Sequence, residues 1–155
     1  MLDKVKTLRT VYRHCKNVQK SLRKVIGNLV ERSEVHDLSK FSDIEFEGVV
    51  QYQQLDGLAY GSEEYDAKMD EIRPYTEDSW NSHVRENSHH PEYHEKVADM
   101  SFLDIIEMVC DWKGANETYN TSGQSFREGS LLCVNRYDFT DGQIWLIHQL
   151  IDFLE

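Results

Sequence analysis

Apolar residues recur at three- and four-residue steps from Leu2 to Val30. Val5, Leu8, Val11, Tyr12, Cys15, Val18, Leu22, Val25, Ile26 and Leu29 share one side of a helical turn, so the pattern predicts a long amphipathic helix at the start of the chain. Gly27-Asn28 is expected to loosen its end, and Ser33 to cap a short second helix carrying His36, Asp37 and Lys40. Ser42-Asp43-Ile44-Glu45 has the form of a capping box, and Phe41 and Phe46 are spaced as a hydrophobic staple. A third helix is predicted from Asp43 to about Leu55.

The segment from Asp56 to Pro74 is acidic and irregular, with Gly57 and Gly61 as breakers. It reads as an insertion or lid, with room for a solvent-facing helix from Glu63 to Arg73. After Pro74, Thr76 is a fair N-cap for a helix through Trp80, His83 and Asn87. That helix should stop at His89-His90-Pro91, because the residue before a proline avoids helical geometry. Ser101-Phe102-Leu103-Asp104 predicts a capped helix running to Gly114-Ala115, Asn116 to Ser130 reads as a polar loop, and Thr140-Asp141-Gly142-Gln143 caps a last helix. No alternating strand pair, Gly-rich phosphate loop or GxSxG elbow occurs. The expected fold is all-α, one compact bundle of five to seven helices over residues 1–155.

Composition narrows the class. With 39% hydrophobic and 29% charged residues the chain has a globular mixture, and no apolar run approaches the roughly 18 residues of a membrane span, so no membrane partner is expected. The N-terminal residues lack the basic tip and apolar block of a secretory signal. Cys15, Cys110 and Cys133 are odd in number and in no CxxC spacing, which predicts reduced thiols in the core of a cytoplasmic protein. The sequons at Asn116 and Asn120 are then coincidental. A formal charge of −11 repels polymeric nucleic acid, which its binders meet with clustered Lys and Arg. A small anionic substrate held through a metal remains compatible with it.

The candidate chemistry begins at His36-Asp37, where an imidazole and a hard carboxylate can reach one divalent ion, and Lys40 can hold an anion beside it. His14 falls with Val11 and Val18 on the apolar side of the first helix; it is either a core histidine or a ligand. His83, His89, His90 and His94 are four of the seven histidines within twelve residues, a density that points to metal binding, with a solvated polar turn as the plain alternative. Asp111 sits among Met108, Val109, Cys110 and Trp112, where an unpaired carboxylate would be costly and a cation would relieve it. Glu107, one turn earlier, could bind metal or orient a ligand. Glu45 and Asp104 have capping work available, and His148 reads as structural or surface.

In order along successive helices the candidates run H…HD…H…H…D, which resembles the HD-domain superfamily of metal-dependent phosphohydrolases. The resemblance implies an HD-like helical domain in which His14, His36, Asp37 and Asp111 hold a first divalent ion and His83 with His89 or His90 completes a second. Lys40 matches the lysine of an HDxxK variant and would steady a substrate phosphate. Cys110 to Ala115 is similar to the closing Ala-Asp-x-x-x-Ala turn, with cysteine in place of the first alanine. HDLSKF at 36–41, HHPEYH at 89–94 and EMxCDW at 107–112 also resemble a small phage and bacterial family. His83 lies closer to His89 and His90 than in better-known binuclear members.

The expectation is a hydrolase of a nucleotide or other small phosphoester, using one or two ions of Mn, Fe, Co, Ni or Zn. Glu107, or a histidine left over from ligation such as His83, could move the proton. The alternatives are a di-iron oxygenase on the same scaffold and a non-catalytic metal- or nucleotide-binding protein.

Overall fold

The computed structural model describes residues 3–155, so the expected helix start at Leu2 lies outside the described residues. Among those residues there are six α-helices and no strand, as the periodicity predicts. The chain divides into two units, residues 1–36 and 37–155.

The first unit is one helix, α1 (Lys4–Val35). The Asp3 carboxylate accepts from the Lys6 amide at 3.0 Å and starts it. The helix passes through Gly27 and Asn28 without a break, and Ser33 caps nothing. Its hydroxyl donates back to the Val30 carbonyl at 2.7 Å inside the same helix, a local bond open to any helical serine. The apolar stripe expected to face a core is instead exposed, and no residue of α1 is buried.

The second unit opens on Asp37, the only described non-glycine residue with positive φ, at 56°. This left-handed turn, tolerated by aspartate better than by most residues, leads into a 3-10 turn (Leu38–Phe41) and then α2 (Asp43–Gln51). The Ser42 hydroxyl accepts from the Glu45 amide at 3.4 Å. The Glu45 side chain does not complete the box, and Phe41, 80% exposed, forms no staple. The last turn of the predicted third helix is a separate 3-10 segment, Tyr52–Leu55.

Helix α3 (Glu63–Glu86) runs unbroken through Pro74, where two helices were expected. An interior proline removes one backbone hydrogen bond and costs about 3 kcal/mol. The buried stripe Ile72, Thr76, Ser79 and His83 recurs at helical spacing on both sides of it, and this packing outweighs the local penalty. Thr76 is therefore an interior residue, its hydroxyl on the Ile72 carbonyl at 3.4 Å. The helix is seated closely on α2. A Cβ added at Gly48 would overlap the Ser79 side chain, and the Ser79 hydroxyl donates to the Glu45 carbonyl at 3.1 Å.

The expected lid is tied down. Gln124 donates to the Tyr60 carbonyl at 3.1 Å, Arg136 donates to the Tyr60 hydroxyl, and the Gly57 amide donates to Thr121. Helix α4 (Phe102–Tyr119) has the predicted capping box, with both Ser101–Asp104 bonds made, but it runs on past Ala115. The polar loop is correspondingly shorter, because Ser125 and Glu128 form a second box that opens α5 (Phe126–Val134). Helix α6 (Asp141–Leu154) starts at the predicted Thr140–Gln143 box.

These three helices enclose the main core of Met100, Ile105, Met108, Val109, Phe126, Val134, Phe139, Ile147 and Ile151. The cysteines are not part of it. Cys15 and Cys110 are exposed, Cys133 is half-buried, and all three are free thiols.

Candidate metal centre

Four pieces of the second unit supply the site: the turn at Asp37 to Lys40, the second half of α3, the loop after it, and α4. The buried stripe of α3 carries His83 inward, 5% exposed. The helix ends at Asn87, whose side-chain amide donates to the His83 carbonyl at 2.8 Å and to the Ser39 hydroxyl at 2.9 Å. The chain then turns so that His89, 2% exposed, and the half-buried His90 face the same space.

The loop holding them is fixed at both ends. The Ser88 hydroxyl donates to Asp104 at 2.7 Å, and Asp104 also accepts from the Ser101 amide at 2.8 Å. His94 Nε2 bonds the Ser88 carbonyl at 2.8 Å; this histidine braces the loop.

The ligand atoms of Asp37, His83, His89 and His90 all lie within 4.8 Å of one another. Asp37 Oδ1 is 3.4 Å from His83 Nε2 and 3.5 Å from His89 Nε2, and the Nε2 atoms of His83 and His90 are 2.9 Å apart. Donors bonded at about 2.1 Å to one ion are separated by about 3.4 Å in a tetrahedron and about 3.0 Å between neighbours in an octahedron. The spacings of 2.9, 3.4 and 3.5 Å lie within about 0.1 Å of those values, so this cluster could hold a metal ion. Asp37, His89 and Asp111 satisfy the same 4.8 Å limit, and this second grouping shares two residues with the first.

Carboxylates stand behind two of the imidazoles. Glu45 Oε2 is 2.9 Å from His83 Nδ1, and Glu107 Oε1 is 3.4 Å from His89 Nδ1. A carboxylate on Nδ1 keeps the proton there and turns the Nε2 lone pair outward, the arrangement that metal-ligating histidines have. Glu45 is 1% exposed and is satisfied on both oxygens, by the hydroxyls of Ser39 at 2.8 Å and Ser82 at 3.0 Å. Capping, the role its sequence position offers, is not what its carboxylate does. Nothing in its local sequence distinguishes the two uses, and Ser39, Ser82, Asn87 and Ser88 likewise gave no signal.

Burial, reinforced by His89 and His83 and opposed by Asp111 and Asp37, pushes the His90 imidazole down to about 3. It is therefore neutral at ordinary pH and can donate a lone pair. Lys40 Nζ pairs with Asp37 Oδ2 at 2.6 Å. Burial works against its charge, but the hydrogen bond and charge of Asp37, with Asp111 and Tyr119, outweigh this and hold the ammonium above its usual range. The Trp80 ring stands edge-on to His90, with centroids 5.3 Å apart.

The structure thus brings Asp37, His83, His89, His90 and Asp111 together, with Lys40 and Glu107 touching the group. His36 is the C-cap of α1 and adjoins Asp37 in the chain, while His14 lies exposed on α1. His148 is half-buried on α6 and belongs to neither grouping. Among the described residues no helix is long and apolar enough to cross a membrane.

A family model described as a family of unknown function (DUF5662) matches residues 3–144. No curated protein and no solved structure matches the chain.

Proposed function

We propose that this chain, which belongs to DUF5662, is a metal-dependent phosphohydrolase acting on a nucleotide or another small phosphoester. The observation that carries the reading is the convergence of the Asp37, His83, His89 and His90 ligand atoms within 4.8 Å, with carboxylates behind His83 and His89. A mixed imidazole and carboxylate set suits Mn, Fe, Co, Ni or Zn better than Mg. A divalent ion held there supplies an acidified water at neutral pH and screens the phosphoryl oxygens.

The protein's own groups do the rest. Asp37 and the three imidazoles bind the ion, and Glu45 and Glu107 fix the ring orientations of His83 and His89. Lys40, on the far oxygen of Asp37, is a cation placed beside the cluster to steady a phosphate drawn to it. Glu107 or a histidine not engaged as a ligand takes the proton. Asp111, grouped with Asp37 and His89, is a further donor that a second ion would use; the HD resemblance implies one ion on Asp111, Asp37, His36 and His14. The two overlapping groupings also favour one alternative, a di-iron oxygenase, since carboxylate and imidazole pairs sharing residues serve that chemistry too.

The test combines elemental analysis of the purified protein with phosphate release from mono-, tri- and cyclic nucleotides. Asp37→Asn keeps a residue that tolerates the left-handed turn and removes the charge, so bound metal and turnover should fall together in a folded protein. Turnover that persists after metal is stripped rejects the proposal. Oxygen uptake by anaerobically iron-loaded protein, without phosphate release, selects the oxygenase.

A further inference from the structure

The main core of the second unit is drawn from one end of the chain. Its buried residues run from Met100 to Ile151, and the partly buried residues around them begin at Val97. No described residue of α2 or α3 belongs to it. Those two helices bury Ile72 and Val84, but also the polar residues Glu45, Thr76, Ser79 and His83. The unit is therefore built as two halves: the turn after Asp37 with α2 and α3, and α4 with α5 and α6.

One junction between the halves lies on the segment joining α2 to α3. There Gln124 donates to the Tyr60 carbonyl, Arg136 to the Tyr60 hydroxyl and the Gly57 amide to Thr121, and the Leu132 side chain reaches Gly61. The bonds of Arg136 and Gly57 are exposed. An exposed bond adds little, because water offers the separated groups equivalent partners.

The metal centre is the other junction. Asp37 and His83 come from the first half, Glu107 and Asp111 from α4, and His89 and His90 from the loop between them. Asp37 and Asp111 bring carboxylate oxygens from opposite halves within 4.8 Å of each other. Two carboxylates that close repel, and Lys40 on Asp37 offsets only one charge. A divalent ion between them turns the repulsion into attraction across the junction.

We propose that the ion is the clasp that holds the α2–α3 half on the α4–α6 half. This rests on the metal centre proposed above, but not on its chemistry. With the ion bound, the first half cannot open without giving it up. Without it, the half with less apolar burial opens first, while the main core stays folded.

The test follows urea unfolding by fluorescence with one tryptophan in each half. One protein carries Trp112→Phe and Trp145→Phe and reports from Trp80 on α3. The other carries Trp80→Phe and Trp145→Phe and reports from Trp112, which lies against the main core. In excess chelator the Trp80 transition should come at lower urea than the Trp112 transition. Zinc at about 100 times its Kd should lower the opening constant of the first half about 100-fold and carry the Trp80 transition up towards the other. Hydrogen exchange of the unsubstituted chain reads the same order: in chelator the amides of α2 and α3 exchange ahead of those of α4 and α6, and zinc slows them by the same factor. Coincident transitions in chelator overturn the clasp, even where phosphate is released from nucleotides. So does zinc that binds without moving the Trp80 transition. Failure to bind zinc overturns the clasp and the metal centre together. Separate transitions drawn together by zinc, with no phosphate released, uphold the clasp and reject the hydrolase.

Discussion

Glu45 Oε2 and His83 Nδ1 are 2.9 Å apart in a space where both residues are buried, 38 positions apart in sequence. The contact joins the first turn of α2 to the inner face of α3, so the packing of two helices sets the direction of one imidazole. Replacing Glu45 with Gln keeps the shape and one acceptor but removes the charge that supports the ring. Metal affinity, read by competitive titration with a chromogenic chelator, should fall about 10- to 100-fold. Unchanged affinity in E45Q would show that His83 is held by packing alone.

The close seating of α2 on α3 gives a stability test. Gly48→Ala places a methyl group where the Ser79 side chain lies, and overpacking of this kind costs about 1–3 kcal/mol. Urea midpoints should drop accordingly. Adding Ser79→Gly should recover part of the loss, less the Ser79–Glu45 hydrogen bond.

Pro74 offers a test of opposite sign. It lies in the interior of α3 with its side chain exposed, and an alanine there could donate its amide to the Asp70 carbonyl. Pro74→Ala should raise stability, by up to about 3 kcal/mol. A lowered melting temperature would mean that the proline ring makes packing contacts that matter more than the missing bond.

His90 makes the metal-free protein sensitive to acid. Its folded value is lowered to about 3 from an ordinary 6.5, so between those limits the unfolded chain binds a proton that the folded one refuses. The contribution is fully present above about pH 6.5 and is lost as the pH falls towards 3. In the presence of a chelator, urea midpoints at pH 7.5 and 4.5 should differ more in the wild type than in His90→Asn. Bound metal should drop over the same acid range, since protons compete for the imidazoles.

The parts of this fold that the sequence made legible are those decided within a few residues. The Ser101–Asp104 and Thr140–Gln143 boxes are contacts across one turn, and both helices begin where those residues predict. Pro74 misled for the converse reason. Its penalty is local, while the stripe that overrides it, Ile72 to His83, gains its energy only against other helices. The histidine density pointed to a cluster that could hold a metal ion, and the pair at 36–37 to a carboxylate in it. That Asp37 meets His83 and His89, and that Glu45 leaves its cap for His83, depends on long-range packing. The exposure of α1 could not be read from periodicity, because an amphipathic stripe looks the same whatever comes to cover it.

Asp104 ends one element and begins another. One oxygen fastens the helix start at Ser101 and the other fastens Ser88, the residue before His89. The histidine loop therefore lacks its Asp104 anchor until α4 has been nucleated, and α4 is stabilised chiefly by the core it forms with α5 and α6. Assembly of the second unit should follow that hierarchy, with the hydrophobic half condensing first and the histidine cluster maturing last. An ion added at the start of refolding should then slow unfolding while leaving the rate of refolding unaltered.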